Sequence, residues 1–413
     1  MGDVELPTLT VKAMGAITDI GAPAWDACAG ADHPFVSYAF LNALEQSGSA
    51  NAESGWAPYH LLVEEAGRPV ACAPMYLKGH SYGEYVFDWA WAEAFERAGG
   101  RYYPKLLIGV PFTPVPGPRL LAAPGPHGDE RRRALVAGAT QIATKLGVSS
   151  LHVNFATEPE WRFMTERGFL ARTGEQFHWF NEGYRSFDDF LAALSSAKRK
   201  AIRKERRAAL GEDLTIVRLS GRAITEADWD AFFQFYMDTG ARKWGTPYLT
   251  RAFFSLIGAT MAERIVLILA KSGDRAVAGA LNFVGRDTLY GRYWGEREYR
   301  KFLHFEVCYY QAIEHAIESG LARVEAGAQG PHKLARGYRP VPTYSAHWIE
   351  NAGFRAAVDQ FVARERRAVA RDIEALAEHT PFRKTGTPPS ATIAPATPTP
   401  ARAAKPTEDD HGQ

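Results

Sequence analysis

Leu289-Tyr-Gly-Arg-Tyr-Trp294, the periodic run Phe302–Ser319 and Arg323-Val-Glu-Ala326 read as strand, helix and strand, with Gly320 stopping the helix. Upstream, Ile265–Lys271 and Ala276–Val284 form a hairpin across Ser272-Gly-Asp274, preceded by a strand at Leu214–Leu219 and a helix at Thr225–Thr239. Downstream, a strand at Tyr344–Ile349 leads into a charged helix from about Phe354 to Glu378. The same order occurs earlier in the chain. Tyr59–Glu65 and Arg68–Leu77 make a hairpin at Ala66-Gly67, and Lys105–Val110 is a strand. Asp129–Leu146 is a helix ending at Gly147, and Ser150–Phe155 is a strand. A short helix at Glu158–Arg167 and a strand at Gln176–Asn181 complete that half. The repeated pattern predicts an α/β protein with mixed sheets, built from two domains of related architecture.

Composition sets the bounds. The 413 residues are 46% hydrophobic, 12% aromatic and 23% charged, which excludes a wholly disordered or fibrous chain. A formal net charge of +1 excludes a generally nucleic-acid-coating protein. Cys28, Cys72 and Cys308 are too few and scattered for a disulfide framework or a Cys-rich zinc module, so no metal is expected. The acidic start Met1–Pro7 lacks a basic n-region, and Ile265–Ala270 is strand-length, far short of a membrane span. The expected setting is the cytoplasm. The phosphate loop, the dinucleotide fingerprint and the hydrolase nucleophile elbow are all absent from the sequence. Beyond about Arg383 the chain turns to Pro/Thr/Ala-rich sequence, which reads as a disordered tail.

The sharpest charge feature is Lys198-Arg-Lys-Ala-Ile-Arg-Lys-Glu-Arg-Arg207, with seven cations and one acid. Phe190, Leu194, Ala197, Ala201 and Ala208 share its helical register, which predicts one helix from Asp188 to about Leu210. A solvated face is one reading. Mutual repulsion between so many cations favours the other, a polyanion-binding face.

Candidate chemistry gathers between Tyr290 and Gly337. At helical spacing Phe302, Phe305, Tyr309, Ile313 and Ile317 face one way and His304, Gln311 and His315 the other, while Glu306 points into the apolar stripe. A core-facing carboxylate needs a partner or a raised pKa; a first-turn Glu on the helix dipole is the plain alternative. His304 and Cys308 are four apart, but without further ligands Cys308 reads as a small core residue. Gly327-Ala-Gln-Gly330 followed by Lys333, Arg336 and Arg339 suits an anionic group at the end of a strand. Arg292, Tyr290 and Trp294 share one side of their strand, and Pro111–Pro118 is a rigid loop suited to walling a cleft.

The chain resembles the FemAB-like branch of the GNAT acyltransferase superfamily. The blocks that carry this are Pro34–Ser37, Pro111–Pro114, Ser195–Arg207, Tyr293-Trp294, Leu303–Glu306 with Cys308–Gln311, Gly327–Lys333, Ala335–Gly337 and Tyr344–His347. The resemblance implies two tandem GNAT-like domains at residues 10–185 and 213–380, joined by a basic connecting segment at 186–212, with the tail at 383–413. It implies an N-acyltransferase moving an acyl or aminoacyl group onto an amine, and it points to peptidoglycan biosynthesis. No cofactor is expected to be tightly bound. Acyl-CoA, acyl carrier protein or aminoacyl-tRNA would serve as co-substrate, and a small amine or cell-wall precursor as acceptor. One departure is that Gly295–Lys301 lacks the paired glycines of a CoA pyrophosphate loop.

On that basis Glu306, with His304 second, is expected to handle protons, and Gln329 to polarise the carbonyl. Arg292, Trp294, Gly327, Gly330, Lys333 and Arg336 would bind the donor. Lys198, Arg199, Arg203, Lys204 and Arg207 would grip a tRNA or an acyl carrier protein. The rival reading is a non-catalytic module that holds RNA or an acidic carrier through the basic helix.

Overall fold

Pro74 interrupts the run Arg68–Leu77 because it has no N–H to offer a ladder, and the two pieces join different sheets. A computed structural model describes residues 8–243, 247–327 and 330–383. In the first half the strands are β1 (Leu9–Met14), β2 (Trp56–Pro58), β3 (His60–Glu65), β4 (Arg68–Ala73), β5 (Met75–Lys78), β6 (Lys105–Ile108), β7 (Leu121–Ala122), β8 (Ser150–Ala156) and β9 (Leu170–Phe180). The second half has β10 (Leu214–Ser220), β11 (Ile265–Ser272), β12 (Arg275–Val284), β13 (Thr288–Glu296), β14 (Arg323–Glu325) and β15 (Arg339–Ile349). One sheet runs β1-β3-β4-β7; the other runs β10-β11-β12-β13-β14-β9-β15-β8-β6-β5-β2. The expected mixed α/β fold class is what the structure shows.

The long sheet has the same plan from either end. β12 and β13 are antiparallel and β13 is parallel to β14; β5 and β6 are antiparallel and β6 is parallel to β8. In the middle the halves interlock. β9 pairs with β14 and β15, and β15 pairs with β9 and β8. Each half's last strand therefore bonds only to strands of the other half. The main core is also shared, with Phe35 against Phe283 at 5.0 Å and Phe40 against Phe253 at 5.7 Å. Burial of such rings stabilises by about 1.5–3 kcal/mol each.

The strand expected at Gln176–Asn181 is β9, which starts at Leu170, and two more element predictions need correction. β15 begins at Arg339 rather than Tyr344, although Pro340 and Pro342 lie within it. Its β8 partner covers only Tyr344–Ile349, so both prolines sit where one edge is unpaired. The predicted single helix from Asp188 to Leu210 is two, Phe187–Ala193 and Ser196–Leu210. Leu194 and Ser195 are extended between them, with Leu194 fully buried and the Ser195 N–H bonded to the Pro381 carbonyl at 2.9 Å. The charged C-terminal helix is Ala352–Ala377, capped by Asn351, whose side chain accepts from the Phe354 N–H at 2.8 Å. All but the first residue of the predicted tail lies outside the described residues.

Candidate active site

The site begins where two parallel strands part. β13 and β14 pair from Thr288↔Arg323 to Tyr290↔Glu325, after which β14 ends and β13 continues to Glu296. Past the last pair lies a cleft of about 280 Å³, lined by Gly291, Arg292, Tyr293 and Trp294 of β13, by Asn282, His304, Cys308, Tyr309 and Ala326, and by Tyr85, Tyr236 and Tyr248. Four consecutive β13 residues line it because Arg292 is an extra residue in the ladder: Leu281 faces Tyr293 and Asn282 faces Gly291. Such a bulge breaks strict side-to-side alternation and re-aims side chains. Gly295 lets the helix above approach, since a Cβ there would lie 2.1 Å from the Phe235 carbonyl oxygen.

The helix after β13 is not regular. Phe302 has a φ of 68°, Leu303–Phe305 is α-helical, Glu306–Tyr310 is a π-turn and Gln311–Glu318 is α-helical again. Residues five apart fall about 140° from each other around an α-helix, but a π-turn brings them together. His304 and Tyr309 accordingly pack at 5.2 Å between ring centroids and both line the cleft. The sequence reading had set them on opposite faces. It had also placed Cys308 in the core, whereas Cys308 is half-buried in the cleft wall.

Glu306 is fully buried and faces away from the cleft residues, toward the basic helix. Arg206 Nε donates to both its oxygens at 3.2 and 3.0 Å, Arg206 Nη2 donates to Oε1 at 2.9 Å, and Gln311 Nε2 donates to Oε1 at 2.8 Å. A carboxylate held by three donors is a structural anchor, and this geometry does not favour it as a base. Arg336 is likewise occupied. It donates to Glu205 at 3.0 and 2.8 Å and to the His332 carbonyl at 2.7 Å, and lies 3.4 Å over the Phe305 ring.

Of the other expected residues, Arg292, Trp294 and His304 line the cleft. Trp294 packs against His304 at 5.2 Å. Lys333 is 1% exposed and donates to the Gly327 carbonyl at 2.7 Å; burial brings its ammonium down to about 7. His332 bonds the Tyr309 hydroxyl at 2.9 Å. Gly327 and Gly330 have φ values of 77° and 120°, which a side chain rarely adopts. Gln329 lies outside the described residues. Arg292 Nη2 and the Tyr293 hydroxyl both donate to the Phe112 carbonyl, at 2.9 and 3.3 Å, so the proline loop braces two lining residues without lining the cleft itself. Asn282 Oδ1 and Arg292 Nε are buried there with no partner among the described residues.

Sequence reasoning missed the tyrosines, Asn282 and Glu325. Glu325, at the end of β14, is buried, and burial pushes its carboxyl up to about 8 despite nearby Arg323. Opposite it in register is His178, which burial brings down to about 3. A Glu flanked by Val324 and Ala326 at the end of a short strand was the available signal. On the basic helix Lys198, Lys200, Arg203, Lys204 and Arg207 are exposed and Arg199 half-exposed, with Arg203 paired to Asp188 at 2.9 Å. Among the described residues no group of three or more His, Cys, Asp or Glu could hold a metal, and no helix is long and apolar enough to cross a membrane.

Chemically, the cleft is an aromatic pocket in which Arg292 is the one permanent charge among the described lining residues, with the imidazole of His304 in its wall. Similar folds are known. FemX is 13% identical, with 85% of this chain and 100% of that chain covered and a TM-score of 0.52. The DUF2156 domain of an Agrobacterium fabrum protein assigned as a lysylphosphatidylglycerol synthetase is 11% identical, covering 84% and 97% with a TM-score of 0.51. No curated protein matches the sequence. A family model described as peptidoglycan biosynthesis/recognition matches residues 16–384, nearly all of the described chain. The chain belongs to that family, the FemAB-like proteins.

Proposed function

We propose that this protein is an N-acyltransferase that moves an acyl or aminoacyl group from an activated carrier to an amine of a cell-wall precursor. The observation that carries this reading is the open parting of β13 and β14, walled by aromatics and adjoined by Lys333, with the basic helix on the far side of the π-turn that brings Cys308 and Tyr309 into it. Family membership supports the cell-wall acceptor. The carrier is an aminoacyl-tRNA, an acyl carrier protein or acyl-CoA; the cations of the basic helix favour the first two, as polyanions.

In the reaction the acceptor nitrogen bonds to the acyl carbon, and the bond to the carrier's oxygen or sulfur breaks. His304 takes the proton released by the attacking amine, in place of Glu306. Lys333, which titrates near neutral pH, supplies a proton to the departing oxygen or sulfur. Arg292 faces the carbonyl oxygen as negative charge develops on it. Gly327 and Gly330 let the loop after β14 approach the donor closely.

The test is incubation of the full chain with each carrier class and a muramyl peptide bearing a free amine, read by mass spectrometry. A mass gain on the amine that disappears in H304A is expected. Salt-sensitive tRNA binding with no transfer from any carrier would instead support a module that only holds RNA.

A further inference from the structure

The single acid of the cationic run, Glu205, and its neighbour Arg206 turn inward while the surrounding cations face solvent. Arg206 grips Glu306 and, at 2.9 Å, Glu314; its guanidinium lies 4.5 Å over the Phe187 ring. Glu205 accepts from the Tyr310 hydroxyl and from Arg336. These partners bracket the π-turn: Glu306 is its first residue, Tyr310 its last, Glu314 lies one turn beyond and Arg336 on the loop across from it. The opposite side of the same turn carries Cys308 and Tyr309 into the cleft, with His304 just before it.

A π-turn is an uncommon backbone state, and a regular α-helix competes with it. Whatever holds the turn therefore decides whether His304 and Tyr309 share a face. We propose that Glu205 and Arg206 are positioning residues: from the buried side of the basic helix they fix the π-turn, and through it the cleft side chains of the transfer reaction. This rests on the cleft being the transfer site. It also makes the helix that would meet the carrier the same element that sets the geometry of the cleft.

Cys308 is a built-in reporter, because it lies in the turn and is half-buried, whereas Cys28 and Cys72 are buried. R206Q alone would leave the buried Glu306 carboxylate without a counter-charge, so the informative variants of the full chain are R206Q/E306Q, which removes both charges, and E205Q. Alkylation of Cys308 by iodoacetamide is followed by mass spectrometry, beside a melting curve that establishes folding. The expected result is a severalfold change in the Cys308 rate in a cooperatively folded variant. With any donor that transfers, kcat should fall while KM for the donor holds. An unchanged Cys308 rate in a folded R206Q/E306Q variant would overturn the proposal. Because alkylation needs no substrate, absence of transfer would count against the proposed function and leave this result standing.

Discussion

Each half parts a pair of parallel strands, but in the first β6 ends and β8 runs on, while in the second β14 ends and β13 runs on beside a cavity. Past Ile108↔Val153, β8 continues to Ala156, but the returning chain fills the gap. Arg119, fully buried, donates through Nε to the Asn154 carbonyl at 2.9 Å, through Nη2 to Val115 at 2.7 Å and through Nη1 to Pro118 at 3.0 Å. The Gly117 N–H bonds the Phe155 carbonyl at 3.0 Å, and Glu160 accepts from the Arg119 and Leu120 N–H groups. In the second half, Gly291–Trp294 of β13 line a cavity beyond the last pair. One topology thus gives a sealed joint or a pocket, depending on whether a loop satisfies the strand edge beyond the last pair. The seal also serves the pocket, since Phe112 at the near end of the plug accepts from Arg292 and Tyr293.

This contrast predicts that substitutions at the sealed parting cost stability and those at the open one cost chemistry. The largest stability effect belongs to Arg119→Met, which strands two buried carbonyls and a part-buried one and should destabilise by about 3 kcal/mol in urea unfolding. Lys333→Met comes next and reads out through pH. Its folded pKa of about 7 lies below the ordinary 10.5, so between those values the unfolded chain carries the extra proton and stability rises with pH. K333M should remove about 2 kcal/mol of that rise between pH 7 and 9, measured as the difference from the parent. Arg292→Gln should leave the melting temperature nearly unchanged while lowering kcat/KM about tenfold, roughly 1.4 kcal/mol of transition-state binding. The smallest effect is expected from K198A/K204A, which should flatten the salt dependence of tRNA binding without altering the fold.

Much of this contrast was legible in the sequence. β13, the helix after it and β14 announce themselves through periodicity and glycine stops, and the aromatic and basic residues lie where those elements place them. The interlock of β9 and β15 was not legible, because pairing across more than a hundred residues leaves no local pattern. Nor was the π-turn, whose register no residue in Phe302–Ser319 signals; a 100° wheel therefore set His304 against Tyr309. Glu306 looked like a buried acid in need of a partner, and it is one. The partner, Arg206, was hidden among cations that read as solvent-facing. The bulge at Arg292 escaped for a similar reason: it exists only against β12.

The central claim is that the donor is held at the open parting. Crystals soaked with a non-reactive aminoacyl or acyl donor analogue test it most directly. The account predicts density for the acyl carbonyl beside Gly291–Trp294, within reach of His304 and Lys333, and none at the sealed parting around Arg119. Density confined to another site, with the β13–β14 cleft unoccupied under saturating analogue, would contradict it.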